Sequence, residues 1–252
     1  MTHFEAILLG IVQGVTEFLP VSSSGHLILF EHFLGLTQLS KYVFFDLICH
    51  LGTLGAILIV FFKDIKELFT DVNKLKLIII AVLPLFPLVL LMKPIKGLFD
   101  QPEWLGYGFL ITACILLLGY HLGGRKIAEN SPKCALYIGI AQSFAILPGI
   151  SRSGTTISAA RLMNWSPSAA VTFSFLLSIP TILGGMVLEC IKLNPSLMPS
   201  IDISTYFCGF LSSLIVGYFS LRALIRIVGT AKFQYFGWYC AGLGLLLIYY
   251  FH

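Results

Sequence analysis

From Gln13 to His26 the chain reads Gln-Gly-Val-Thr-Glu-Phe-Leu-Pro-Val-Ser-Ser-Ser-Gly-His, setting a carboxylate, three successive hydroxyls and an imidazole close together. A second polar cluster, Ser151-Arg152-Ser153-Gly154-Thr155-Thr156, adds a guanidinium. A guanidinium grips phosphate through a planar fork of N–H donors, so Arg152 points to an anion with several oxygens. Helices starting near Ser24 and Ser153 would add backbone N–H groups and a partial positive charge. Ser22, Ser24, Ser151, Ser153, Gly154 and Thr156 then form a phosphate cradle around Arg152. Glu17 would repel phosphate directly. It either holds a divalent cation, with Gln13 one turn earlier on the same face as a carbonyl ligand, or it handles a proton. Ser23 is a free hydroxyl beside His26, the pairing of a weak nucleophile with a base. Against this stand plainer readings. Hydroxyls in membrane helices often bond backbone carbonyls, and Glu17 with Arg152 could be a structural ion pair.

The elements that carry these groups are unusual. The uncharged runs on either side of Glu17, residues 6–16 and 18–30, are each shorter than the roughly 20 residues a helix needs to cross a bilayer. Pro20 and Gly25 interrupt them, which predicts a re-entrant hairpin turning over Leu19–Ser24. Setting Gly10 on Gly139 places Gln13 on Gln142, Ser22 on Ser151, Ser24 on Ser153 and Gly25 on Gly154. Glu17 falls on Ile146 and Ser23 on Arg152. One hairpin thus supplies an acid and a hydroxyl, and its copy supplies the cation. Paired broken helices in two halves of a membrane protein point to a midplane site.

Composition sets the class. Of 252 residues, 57% are hydrophobic and 11% charged, with mean hydropathy +0.91, which leaves too little polar sequence for a soluble domain. The net charge of +4 is scattered, so no nucleic-acid footprint appears. Six cysteines without close pairing read as small buried hydrophobes rather than disulfides or metal ligands. Met1–Glu5 lacks the basic residues of a cleavable signal peptide.

The remaining spans are expected at Tyr42–Phe62, Leu77–Met92 (kinked by Pro84 and Pro87), Trp104–Leu122, Ser168–Glu189, Ser204–Leu221 and Phe233–Phe251. Asp46, His50 and Thr53 share one face of the first, where an internal polar contact is the simpler reading. Lys63–Lys76 reads as a charged loop. A hairpin plus three spans, twice, makes an all-α integral membrane protein with an inverted-topology repeat, over about 4–122 and 134–251. Ten loop Lys and Arg residues on one side (Lys63, Lys66, Lys74, Lys76, Arg125, Lys126, Lys133, Arg222, Arg226, Lys232) face four on the other (Lys41, Lys93, Lys96, Lys192), which puts both termini outside.

Three stretches, Gln13–His26, Phe45–Thr53 and Pro148–Thr156, closely resemble the bacterial undecaprenyl-pyrophosphate phosphatase family, linked to bacitracin resistance. The resemblance covers nearly the whole chain, and Gln13 and Glu17 match its (Glu/Gln)-x-x-x-Glu element in the Gln form. It implies six spans plus two re-entrant hairpins in the bacterial cytoplasmic membrane. It also implies a divalent cation (Mg2+ or Ca2+) and hydrolysis of undecaprenyl pyrophosphate to the monophosphate and inorganic phosphate. The site would open to the periplasm or exterior and recycle the lipid carrier of cell-wall synthesis, with bacitracin competing for the same lipid. A homodimer is compatible with it. The roles carried over are Ser23 as nucleophile, Arg152 as pyrophosphate clamp, and Glu17 and His26 as acid/base or metal-supporting groups.

Two other classes compete. A transporter or flippase of a phosphorylated prenyl lipid shares the repeat architecture but needs no nucleophile beside a base. An acid-phosphatase-like membrane enzyme would carry a histidine where this chain has Ser158, and is excluded.

Overall fold

The structure, a computed structural model, describes residues 1–36, 39–91, 101–124, 131–192 and 201–251, and every regular element among them is helical. Helix α1 (His3–Thr16) opens on a capping box in which Thr2 and Glu5 satisfy each other's backbone N–H groups. The chain turns over residues 17–22 and returns as α2 (Ser23–Phe33). Helix α3 (Leu39–Val60) is followed by α4 (Phe62–Thr70) and α5 (Val72–Val82), the last continuing as a 3-10 helix over Leu83–Leu91. Helix α6 (Leu105–His121) precedes the second hairpin, α7 (Pro132–Phe144) and α8 (Arg152–Leu162). Helices α9 (Pro167–Lys192), α10 (Ile203–Ile227) and α11 (Gln234–Phe251) complete the chain.

Among the described residues, five segments are long and apolar enough to cross a membrane: Tyr42–Val60, Val72–Leu90, Pro102–His121, Pro167–Ile191 and Ile203–Ile227. At most 44% of any of these windows is buried inside the protein, so the rest of their apolar surface must face lipid. The protein is a multi-pass membrane protein. The expected sixth span is the helix Gln234–Phe251, whose tyrosines and glycines leave it outside that set. The expected loop Lys63–Lys76 is helical instead. Phe62, Ile65 and Leu68 recur on one face, Lys66 lies over the Phe62 ring, and Asp71 caps α5 by accepting the N–H groups of Asn73 and Lys74. Lys93, Lys96, Arg125, Lys126 and His252 lie outside the described residues, as do the side chains of Lys41 and Lys192.

The interruption expected at Pro84 and Pro87 is present. Pro87 has no N–H to give the Pro84 carbonyl in the 3-10 repeat, and the Ser143 hydroxyl of α7 donates to it instead (3.2 Å).

Packing between helices rests on small residues, as it must where lipid removes the hydrophobic drive to associate. Helix α1 packs on α10, and a Cβ on Gly14 would stand 2.8 Å from the Gly217 nitrogen. Helix α3 packs on the same α10, where Gly52 sits against Ser213 and the Phe210 carbonyl. Helix α7 packs on α5, and a Cβ on Gly139 would meet the Ala81 carbonyl. Each hairpin therefore leans on a long helix from the other half of the chain.

Candidate active site

The two hairpin tips meet. A Cβ on Gly25 would lie 3.2 Å from the Gly149 Cα, and the Ser153 hydroxyl donates to the Leu19 carbonyl across the junction (3.4 Å). Each returning helix starts at a serine N-cap. Ser22 accepts the Gly25 N–H at 3.4 Å, and Ser151 accepts the Gly154 N–H at 3.1 Å. The hydroxyls of Ser22 and Ser24 lie 3.4 Å apart, and those of Ser151 and Ser153 lie 3.3 Å apart. The capping geometry thus repeats from one tip to the other. The backbones differ: Ser22 has φ 70°, a region costly for a residue with a side chain, whereas Ser151 is extended and glycine (Gly149, φ 83°) takes the left-handed position.

Glu17 is the hub. Its Oε1 accepts from Arg152 Nη2 at 2.5 Å, and its Oε2 accepts from the Ser23 hydroxyl at 2.6 Å and the Gln13 amide at 3.1 Å. His50 Nε2 lies 3.8 Å from the same Oε2. One carboxylate therefore holds a hydroxyl from its own tip and the guanidinium from the other. With only 4% of the Glu17 side chain exposed, losing either contact would strand charge in a low-dielectric interior. Four polar atoms here are buried without a hydrogen-bond partner among the described residues: Gln13 Oε1, Arg152 Nη1 and the amide oxygen and nitrogen of Gln142.

These groups border a cavity of about 490 Å3. Glu17, Ser22, Ser23, Ser24, His50, Gln142, Ser151, Arg152 and Ser153 give it a polar wall. Val82, Leu85, Phe86 and Val89 of the interrupted helix and Ile182, Met186 and Leu188 of α9 give it an apolar one. Gly184 and Gly185 lie between those α9 residues, and a Cβ on either would meet open space. A polar, cation-bearing wall beside an oily one suits an amphiphile with an anionic head.

Residues 6–246 match the family described as bacitracin resistance protein BacA. This chain belongs to the BacA family. Among its curated relatives, the undecaprenyl-diphosphatase of Protochlamydia amoebophila is 51% identical over 255 residues, covering 100% of this chain and 99% of that protein. The undecaprenyl-diphosphatases of Carboxydothermus hydrogenoformans and Desulfosudis oleivorans are 40% and 38% identical, over 98% and 97% of this chain and 97% of each relative.

Within this BacA-family site the sequence-expected residues divide. Ser22, Ser23, Ser24, Ser151, Arg152, Ser153 and Glu17 gather at the cavity. Gln13 sits behind Glu17. His26 does not reach Ser23, contrary to expectation. Its Nδ1 donates to the Ser22 carbonyl (2.7 Å), its Nε2 accepts from the Tyr239 hydroxyl (2.8 Å), and Phe109 closes the ring's edge. A histidine at the fourth residue of a helix points back over the capping turn, so His26 grips the strained Ser22 instead. Gly154 and Thr156 also lie off the cavity: Thr156 bonds the Arg152 carbonyl and the Ser174 hydroxyl, which fixes α8 on α9.

Sequence reasoning missed three supports. Thr112 of α6 donates to the Gly149 carbonyl (2.8 Å) and accepts the Ser151 N–H (3.0 Å), pinning the second turn. Tyr239 holds His26 from α11. His50, read as an internal contact, borders the cavity, while Asp46 lies off it. Only His50 carried a signal, an imidazole on the face of a membrane helix that also holds Thr53.

A divalent cation fits these residues. Glu17 offers a carboxylate and Gln13 an unpaired carbonyl oxygen, the hard donors that Mg2+ and Ca2+ prefer. No group of three or more His, Cys, Asp or Glu side chains suited to a metal occurs among the described residues, so the substrate's own oxygens would have to complete the shell.

Proposed function

We propose that this protein hydrolyses undecaprenyl diphosphate to undecaprenyl phosphate and inorganic phosphate, returning the lipid carrier to cell-wall synthesis. The observation that carries this reading is the pair of hydrogen bonds that the Glu17 carboxylate accepts, from Ser23 of its own tip and from Arg152 of the other. A carrier that only moved the lipid would need the guanidinium but no hydroxyl held on a buried carboxylate.

The diphosphate displaces Arg152 from Glu17 and takes its bidentate fork, with the N-termini of α2 and α8 facing it through their serine caps. Freed from the guanidinium, the Glu17 carboxylate becomes more basic and keeps its bond to Ser23. The Ser23 oxygen attacks the terminal phosphorus while its proton passes to Glu17, and the bond from that phosphorus to the bridging oxygen breaks. Undecaprenyl phosphate leaves with the bridging oxygen. Water then cleaves the phosphoserine: its hydroxyl goes to phosphorus and its proton to the Ser23 oxygen, while the proton held by Glu17 passes to an oxygen of the departing inorganic phosphate, which restores the carboxylate. His26 positions the turn through the Ser22 carbonyl and takes no proton. Glu17 with Gln13 would hold the divalent cation, which supplies neutralising charge to the phosphate oxygens when bound. The apolar wall receives the first units of the prenyl chain.

The inverted repeat belongs to the same reading. Six spans and two re-entrant hairpins, entering from opposite faces, are supported by the reciprocal packing of α1 on α10 and α7 on α5. Loop charge supports a site open to the exterior of the bacterial cytoplasmic membrane.

Purified protein given undecaprenyl diphosphate should release phosphate, chelator should stop it, and Ser23→Ala should abolish turnover while substrate still binds. Any trapped covalent species should be phosphoserine. Acid-labile phosphohistidine at His26, or substantial turnover by Ser23→Ala, would reverse the assignment.

A further inference from the structure

We infer that His50 is a ligand of the divalent cation held by Glu17, and that it biases the site toward metals that accept nitrogen, Mn2+ over Ca2+. The inference rests on the cation-binding reading given above. His50 Nδ1 lies 2.7 Å from the Asp46 carbonyl, which can only accept, so Nδ1 carries the hydrogen. In the neutral ring that leaves a lone pair on Nε2. An imidazole anchored through one nitrogen to a carbonyl, with the other free, has the arrangement typical of metal-bound histidines.

The position of Nε2 decides what the lone pair can serve. It stands 3.8 Å from Glu17 Oε2, too far for a hydrogen bond. Two donors that each bind one ion at about 2.0–2.2 Å can be no more than about 4.4 Å apart. The 3.8 Å separation falls within that limit, so one ion could touch both donors. The His50 side chain is 28% exposed where that of Glu17 is 4%, so the imidazole stands on the cavity side of the carboxylate, where a phosphate-bound ion would arrive.

Gln13 supplies the third donor by a rotation alone. Its amide nitrogen faces Glu17 and its carbonyl oxygen is buried without a partner. Turning the amide over would aim that oxygen at an ion held by Glu17, and phosphate oxygens would complete the shell. Calcium takes oxygen ligands, whereas first-row divalent metals gain affinity from an added nitrogen donor, with Mn2+ at the weak end of that order. Losing such a ligand should cost at least about tenfold in Mn2+ affinity, the scale on which metal-shell substitutions act.

The test needs a readout other than turnover. Mn2+ is added to the full-length protein together with a farnesyl methylene-bisphosphonate, whose P–C–P bridge resists cleavage. Pulsed electron paramagnetic resonance then looks for imidazole 14N coupled to the metal. The coupling is expected in the wild type and should vanish in His50→Gln, which should still bind Mn2+ at least about tenfold more weakly while its Ca2+ affinity changes little. Bound Mn2+ without nitrogen coupling in the wild type overturns the inference, even if the variant misfolds. Coupling that persists in His50→Gln also overturns it. Absence of any bound Mn2+ overturns both the inference and the cation reading, while phosphate release continues to report on the phosphatase reading by itself.

Discussion

Glu17 is expected to need both its charge and its length, and two substitutions separate them. Glu17→Asp keeps the charge but withdraws the carboxylate by one carbon–carbon bond, about 1.5 Å. The Ser23 contact, now 2.6 Å, would then open toward 4 Å, beyond hydrogen-bond range. Misplacing a reacting group by about 1 Å costs on the order of a hundredfold, so kcat/KM should fall by about that factor. Glu17→Gln keeps the length and can still accept the Ser23 hydroxyl, but it cannot take the proton. Removing a general base costs roughly 10²–10⁴-fold, or about 2.7–5.4 kcal/mol of transition-state stabilisation. Both variants should retain helical circular dichroism, because the small-residue packing of α1 on α10 does not involve the carboxylate. Colorimetric phosphate release from purified protein, at saturating and limiting lipid, reads both numbers. If Glu17→Asp stays within threefold of wild type while Glu17→Gln is inactive, Glu17 acts as a diffuse charge and the proposed proton transfer from Ser23 is wrong.

Arg152→Lys keeps a positive charge and loses the fork, so kcat/KM should drop at least about tenfold, or 1.4 kcal/mol; near-normal turnover would show that charge alone suffices. Tyr239→Phe removes one hydrogen bond to His26, worth about 1 kcal/mol, so activity should fall only about fivefold. A complete loss in that variant would make the His26 ring part of the chemistry. Gly108→Ala places a methyl 2.8 Å from the Gly149 Cα and against the Pro148 carbonyl, and overpacking of this kind costs about 1–3 kcal/mol. It should lower both thermal stability and turnover although it touches no substrate, which a thermal-shift assay alongside phosphate release would check.

The broken helices were legible in the sequence because their grammar is local. Pro20, Gly25 and a buried carboxylate interrupt runs too short to span, and Pro84 with Pro87 can only disturb an α-helix. The second tip was legible as a copy of the first. Helix α4 was not, because its charged residues mark a loop in a hydropathy profile, while the recurrence of Phe62, Ile65 and Leu68 marks an amphipathic surface helix. The place of His26 was hidden for another reason. Nearness in sequence suggested Ser23, but the ring's partner, Tyr239, comes from the last helix and no local pattern points to it. Thr112 escaped in the same way, since its hydrogen bonds to Gly149 and Ser151 span 37 and 39 residues.

The leaning of each hairpin on the opposite half bears on how the protein is made. Gly10 and Gly14 of α1 find their partners only in Ile203–Ile227, near the end of synthesis. Until α10 has been translated, the first hairpin has no surface shaped to receive it, and its carboxylate has no guanidinium close by until the second hairpin arrives. A ribosome stalled before residue 203 would thus leave a chain with much of its lipid-facing surface but no assembled site. The last fifth of the chain thus acts as the clamp for the first hairpin, and a chain ending before residue 203 is expected neither to bind nor to cleave the lipid carrier.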